Sequence, residues 1–193
     1  NISATDLEVG LRSRCVAEVS KGGALTLPAK KIFEIVRALP ETKISIKQTA
    51  KGSVTITAER FNSRIQTLPR EDFPALPEPT GTGTVSIPSG SLREMVAKTQ
   101  FAVSGEDTRY FLNGALLVLG KDSMSLVATD GHRLALASMD RGDVEVKDKT
   151  PSEENGEEQR VILPKKTLLE LARLLSDGKS TTVYERGENH LFF

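Results

Sequence analysis

The side chains best equipped for chemistry stand in two short strings, Arg109-Tyr110-Phe111-Leu112-Asn113-Gly114 and Val127-Ala128-Thr129-Asp130-Gly131-His132-Arg133-Leu134-Ala135. They bring a carboxylate, an imidazole, a hydroxyl and two guanidinium groups together among aromatics and glycines, a mixture that packing a core does not require. Three kinds of chemistry are open to them. Asp130 and His132 alternate, so an extended segment places both on one face as an acid–base dyad, with the Thr129 hydroxyl beside them. Arg109 offers a guanidinium to phosphate, and Tyr110 or Phe111 offers a ring to a base or sugar. The third reading is plainer: a tight hairpin with a satisfied histidine, and core aromatics at the start of a strand.

The dyad lacks company. No nucleophile elbow accompanies it, and the second histidine, His190, stands alone, without metal-ligand spacing. Gly81-Thr82-Gly83 carries none of the rest of a phosphate loop. These residues therefore give no catalytic residue, no metal site and no cofactor.

The elements that must position the two strings come from a repeat. Leu27-Pro28-Ala29-Lys30-Lys31-Ile32-Phe33, Ile87-Pro88-Ser89-Gly90-Ser91-Leu92-Arg93 and Leu163-Pro164-Lys165-Lys166-Thr167-Leu168-Leu169 share an apolar residue, a proline and an amphipathic run. Proline suits a first helical turn, where its missing N–H would be unpaired anyway. The pattern predicts helices starting at Pro28, Pro88 and Pro164. A second echo, Ala4-Thr5-Asp6 and Ala128-Thr129-Asp130, precedes the first and third of these.

Period-two alternation predicts strands between the helices. They run along Val9-Leu11-Ser13-Cys15-Ala17-Val19, at Ile44-Ser45-Ile46, at Val54-Thr55-Ile56 and around Ile65. Further strands are expected at Ala115–Leu119, Met124–Ala128, Arg133–Met139 and Thr182–Tyr184, and Leu191-Phe192-Phe193 reads as mid-strand. Lys51-Gly52 and Gly120-Lys121-Asp122 supply meander turns. Pro151 to Arg160 is acidic and almost without apolar residues, the composition of a solvated loop. Pro69, Pro74, Pro77, Pro79, Gly81 and Gly83 crowd one stretch, which predicts a linker with a boundary near residue 80. The fold class expected is α+β, helix-plus-antiparallel-sheet units in series.

The 193 residues carry 26 basic and 26 acidic side chains, so the chain as a whole is no basic nucleic-acid cloak. Charge is nevertheless polarised. Lys30, Lys31 and Arg37 oppose Glu34 in the first helix, Arg93 and Lys98 oppose Glu94 in the second, and Lys165, Lys166 and Arg173 oppose Glu170 in the third. Each helix is net basic and the remainder net acidic. Helices lining one surface would make it suited to weak, sequence-blind phosphate contact. A single cysteine, Cys15, and no long uncharged apolar run fit a cytosolic setting without membrane association. A start at Asn1 and an end in a strand suggest a piece of a longer protein.

Taken together, the two strings resemble the bacterial DNA polymerase III beta subunit family, the replicative sliding clamps. Thr5-Asp6-Leu7-Glu8, Leu27-Pro28-Ala29-Lys30-Lys31, Thr67-Leu68-Pro69 and Asp72-Phe73-Pro74 extend the similarity over essentially the whole chain. The resemblance implies a DNA clamp fold, with helices on the inner face around duplex DNA and sheets outside. Residues 1–80 would be the C-terminal half of clamp domain 1, and 81–193 the central domain, truncated at its C-terminus. It implies a non-catalytic, cytoplasmic processivity subunit whose partners are double-stranded DNA, DNA polymerase III and other clamp-binding-motif proteins, the clamp loader, and itself in a head-to-tail ring dimer. A non-ring DNA- or peptide-binding module of the same fold is the alternative.

Residue by residue, the resemblance gives DNA contact to Arg109, Tyr110 and Phe111. The basic residues of the three helices, Lys30, Lys31, Arg37, Arg93, Lys98, Lys165, Lys166 and Arg173, would face the same DNA. Glu106, beside Asp107, departs from the neutral or basic character that suits a DNA loop. A partner-peptide groove would be walled by Leu112, Thr129, Gly131, His132, Arg133 and Leu134. The strand Ser63-Arg64-Ile65-Gln66 would lie at a subunit interface, with Ile65 its marker.

Overall fold

The computed structural model describes residues 1–50, 52–105, 108–120, 123–140, 146–147, 158–175 and 180–193. Glu106 and Asp107, Lys51, Lys121 and Asp122, and the acidic run from Pro151 to Glu157 lie outside the described residues. The chain forms two compact units, Asn1–Leu76 and Pro77–Phe193.

In the first unit, β1 (Ile2–Thr5) and β2 (Gly10–Ser13) form an antiparallel hairpin. Helix α1 (Ala29–Ala38) is followed by the meander β3 (Ser45–Ala50), β4 (Ser53–Ala58) and β5 (Phe61–Gln66). Val54, Ile56 and Ile65 are buried there, with Ile32 and Ile35 of α1 and Leu27, Ile44 and Phe61 packed against them. No residue of α1 is fully buried, and Phe33 and Val36 stay exposed on it.

One expectation is corrected in this unit. The alternation from Val9 to Val19 yields a strand only at Gly10–Ser13, and Val16 and Val19 are solvent-exposed. Alternation marks a half-buried strand only when a sheet lies beneath one face, and none covers this stretch among the described residues. The Ile65 side chain of β5 packs in the core under α1 and is 5 % exposed. What β5 offers outward is its backbone edge, since it is the terminal strand of its sheet.

The second unit opens with β6 (Thr84–Pro88), α2 (Ser89–Thr99) and two single 3-10 turns, Gln100–Ala102 and Tyr110–Leu112. Strands β7 (Gly114–Leu119), β8 (Ser123–Thr129), β9 (Leu134–Asp140) and β10 (Val146–Lys147) follow. The unit closes with β11 (Gln159–Pro164), α3 (Lys165–Leu174), β12 (Thr181–Arg186) and β13 (Leu191–Phe192). Two four-stranded antiparallel sheets result, in the orders β10-β6-β12-β13 and β11-β7-β8-β9. Helices α2 and α3 touch each other, α2 lying over β8 and β9 and α3 over β7 and β11. Leu92, Met95 and Val96 of α2 and Leu168 and Leu171 of α3 meet Leu117, Leu126 and Leu163 of the sheet in one continuous core. Each such side chain contributes roughly 1.5–3 kcal/mol by leaving water, so the sheet is a firm base for the loops at its end.

The three prolines precede their helices rather than beginning them. Pro28, Pro88 and Pro164 have ψ of 109°, 120° and 149°, which is extended backbone, and the helices begin one residue later. Pro88 and Pro164 are also the last residues of β6 and β11, so strand passes to helix with no loop between. A proline ends a strand there without an unpaired N–H and hands the chain to the helix.

Two details fix the end of the unit that carries the chemistry. The buried Glu185 carboxylate accepts the Thr80 N–H and hydroxyl, both at 2.7 Å, and the Gly81 N–H at 2.9 Å, tying this segment to β12. Burial alone would raise its pKa, but those bonds outweigh it and the net shift is downward. Gly114 faces Pro164 across the β7–β11 pair. A Cβ at Gly114 would come within 2.7 Å of the Ile162 methyl Cγ2 and closer still to the Leu163 carbonyl oxygen. Gly114→Ala must therefore push β11 away from β7, and it is expected to cost about 1–3 kcal/mol in urea unfolding. Unchanged stability would show that the strands are not so close.

Candidate functional site

The second string forms the β8–β9 hairpin, built by two side chains that bond to the turn's own backbone. The Thr129 hydroxyl donates to the Arg133 carbonyl at 2.7 Å and accepts the Gly131 N–H at 3.1 Å. Asp130 Oδ1 accepts the N–H groups of His132 and Arg133 at 3.0 and 2.9 Å, and Oδ2 accepts Arg133 Nε–H at 2.9 Å. This is the chemistry of Asx and hydroxyl turns, which replace ladder bonds with side-chain acceptors. The hydrogen bonds from the Arg133 and His132 backbone, then the Arg133 guanidinium, hold the Asp130 carboxyl down to about 2.

That geometry corrects the acid–base dyad. Asp130 bonds the backbone of His132, not its imidazole, and its remaining oxygen is taken by Arg133. The hydroxyl of Thr129 is likewise spent on the turn. What the hairpin presents to solvent is His132, Arg133 and Leu134, the last 66 % exposed.

The first unit contains the same turn, bond for bond. The Thr5 hydroxyl donates to the Val9 carbonyl at 3.0 Å and accepts the Leu7 N–H at 3.0 Å. Asp6 Oδ1 accepts the N–H groups of Glu8 and Val9 at 3.2 and 3.0 Å. Its third residue, Leu7, has φ +78°, and its counterpart Gly131 has φ +88°. The scaffold thus accepts leucine at the left-handed position, at a cost of roughly 1–2 kcal/mol. At Gly131 a Cβ would stand in ordinary contact with the Arg109 guanidinium, 3.4 Å from Nη2 and 3.5 Å from Nη1. The Arg109 guanidinium lies on the bare face of this turn.

Arg109 begins the first string, which forms the 3-10 turn Tyr110–Leu112 rather than a strand. Its backbone is pinned by Ser104 N–H on the Leu112 carbonyl and Lys165 N–H on the Asn113 carbonyl, both at 3.0 Å. Tyr110 is 81 % exposed and Phe111 51 %, packed edge to face at 5.8 Å. Neither is a core aromatic. Leu112, expected as groove floor, is turned inward at 6 % exposure. The 3-10 turn sends its last side chain beneath the loop, whereas Leu134 on the neighbouring hairpin stays exposed.

The helix cations divide by element. Lys30, Lys31 and Arg37 are exposed on α1 of the first unit. In the second unit, Arg93 and Lys98 of α2 and Arg173 of α3 are exposed, while Lys165 and Lys166 are half-buried. The Lys165 ammonium approaches Gly105, 3.8 Å from where a side chain there would begin, which brings α3 to the loop before Arg109. Lys98 pairs with Glu94 at 2.6 Å and Arg173 with Glu170 at 2.7 Å. Such exposed pairs within a helix are worth a few tenths of a kcal/mol and do not withhold a cation from phosphate. Among the described residues no group of His, Cys, Asp and Glu could hold a metal ion, and no helix is long and apolar enough to cross a membrane. Sequence reasoning missed Phe101, whose ring lies under the Arg133 guanidinium, 5.5 Å from guanidinium carbon to ring centroid.

Helix-and-sheet units in series with paired turns of this kind define a clamp-type α+β fold. DNA polymerase III subunit beta from Pseudomonas aeruginosa matches with a TM-score of 0.83 at 36 % identity, over 98 % of this chain and 49 % of that one. Pol III beta from Caulobacter crescentus matches with a TM-score of 0.80 at 31 % identity, over 98 % of this chain and 50 % of that one. Residues 1–77 match the family described as DNA polymerase III beta subunit, N-terminal domain, and 86–193 the one described as its central domain. The chain belongs to the DNA polymerase III beta subunit family. Beta sliding clamps of Pseudomonas putida KT2440 and Escherichia coli K12 are 35 % and 32 % identical to it over 192 residues, 99 % of this chain. The chain spans about half, 50 %, of the length of these relatives.

The Asp130 carboxyl provides a direct check on the hairpin. Its folded pKa lies below the ordinary 3.8, so its support for the turn is complete above that value and is lost as pH falls towards about 2. A carbon-detected carboxyl titration is expected to give a midpoint near 2 for Asp130. A midpoint at 3.8 would mean that the backbone bonds are not made in solution.

Proposed function

We propose that this chain is part of a non-catalytic sliding clamp that encircles duplex DNA, docks partner peptides and so confers processivity on a replicative polymerase. The observation that carries the docking half is the contrast between the twin turns. Both share one scaffold, yet only the second has Gly131 bare beneath Arg109, with His132, Arg133 and Leu134 outward. An exposed leucine beside oriented donors is what a short linear motif needs: an apolar anchor and a few polar fixings. Thr129, Gly131, His132, Arg133 and Leu134 form this wall, with Leu112 supporting it from below.

The DNA half rests on Arg109 and Tyr110, on Lys165 beside Gly105 of the preceding loop, and on the outward cations of α1, α2 and α3. Such contacts address phosphates without reading bases, which permits sliding. Phe111 packs edge to face against Tyr110 and stiffens the loop. In the ring, the open edge of β5 pairs with another subunit, through its backbone rather than through Ile65. The boundary between clamp domains falls near residue 80, the clamp loader and DNA polymerase III are the partners, and the setting is the bacterial cytoplasm.

The ring is tested with the full-length gene product. Light scattering is expected to give a dimer that, once loaded, stays on closed circular DNA and runs off linear DNA; a monomer leaving both equally would refute encirclement. Arg109→Ala is expected to lower the slope of log affinity against log salt by about 1. An unchanged slope would remove Arg109 from the phosphate contacts.

A further inference from the structure

Phe101 is the middle residue of the 3-10 turn Gln100–Ala102 that follows α2, and it is 56 % exposed. The Arg133 guanidinium stands over that ring at 5.5 Å, while its Nε–H is held by Asp130 Oδ2 at 2.9 Å. The guanidinium is thus held at its Nε–H by a carboxylate and lies over the face of an aromatic ring, two contacts from separate elements. Among the described residues, Nη1 and Nη2 of Arg133 have no hydrogen-bond partner. Those two nitrogens form the outer edge of the group, with donors that match an oxygen acceptor. A long side chain held in this way loses little rotamer freedom on binding, whereas a free arginine loses much of it.

We propose that Phe101 is a positioning residue for Arg133, and that the docking site extends from the β8–β9 hairpin onto the turn after α2. The group it prepares Arg133 to meet is an oxygen acceptor, carboxylate or carbonyl, of a bound peptide. This rests on the peptide-docking reading above. The twin turn in the first unit has Val9 where Arg133 stands, so it carries the scaffold without the cation.

The test uses the full-length gene product, with a synthetic peptide copying the clamp-binding segment of a bacterial polymerase as probe. Phe101→Leu keeps an apolar side chain and removes the π face, and Phe101→Tyr keeps the face. Phe101→Leu is expected to weaken peptide binding about two- to fivefold, and Phe101→Tyr to restore it. In an Arg133→Ala background, Phe101→Leu is expected to add nothing. Without any peptide, the Arg133 Nε–Hε resonance should lose its ring-current shift in Phe101→Leu and keep it in Phe101→Tyr. An equal loss of affinity with and without Arg133, or an Arg133 resonance indifferent to Phe101→Leu, would overturn the positioning role. If the peptide fails to bind the unaltered protein, or binds Arg133→Ala as tightly, the docking reading falls and takes this inference with it. That failure is visible before Phe101 is touched, so the two are told apart.

Discussion

One carboxylate organises the site. Asp130 satisfies two backbone N–H groups of its own turn with one oxygen and steers a guanidinium with the other. The acceptor is ionised and the donors are local, so the loop is held without burying apolar surface. A turn closed from within leaves its outer side chains uncommitted to structure, and here these are His132, Arg133 and Leu134. Arg109 then seats against Gly131 because nothing projects from that face. The apolar core beneath α2 and α3 serves this arrangement by fixing the ends of β8 and β9, between which the turn is strung.

The repeat separates scaffold from chemistry. At Thr5–Val9 the same hydroxyl and carboxylate make the same bonds around a residue with positive φ. Since that copy accepts Leu7, the turn alone does not demand glycine. At Gly131 the face left bare is occupied by a neighbouring guanidinium. Turns that share these bonds differ in the residues they present outward. The same comparison applies to the helices: α2 and α3 share a sheet and a core, whereas α1 covers its small sheet alone and leaves Phe33 and Val36 in solvent.

Much of the fold was legible in the sequence, because proline signatures and alternation report local geometry. The helices were displaced by one residue, since all three prolines keep an extended ψ, two of them as the last residue of a strand. The strand expected from Val9 to Val19 shortened, as alternation cannot say whether a sheet lies underneath. Site residues were legible as types and not as roles. Alternation made Asp130 and His132 a plausible dyad, but only coordinates reveal that the carboxylate bonds backbone. The inward turn of Leu112 and Ile65 and the placement of Arg133 over the Phe101 ring depend on contacts between distant elements, which spacing does not encode.

The most direct measurement of the central claim, that the second turn is a docking surface and its twin is not, is amide and methyl shift mapping of the full-length protein as a polymerase-derived peptide is added. The largest changes should fall on His132, Arg133 and Leu134, with Thr5 to Val9 silent as the internal control. Equal changes at both turns, or changes confined to neither, would contradict the account.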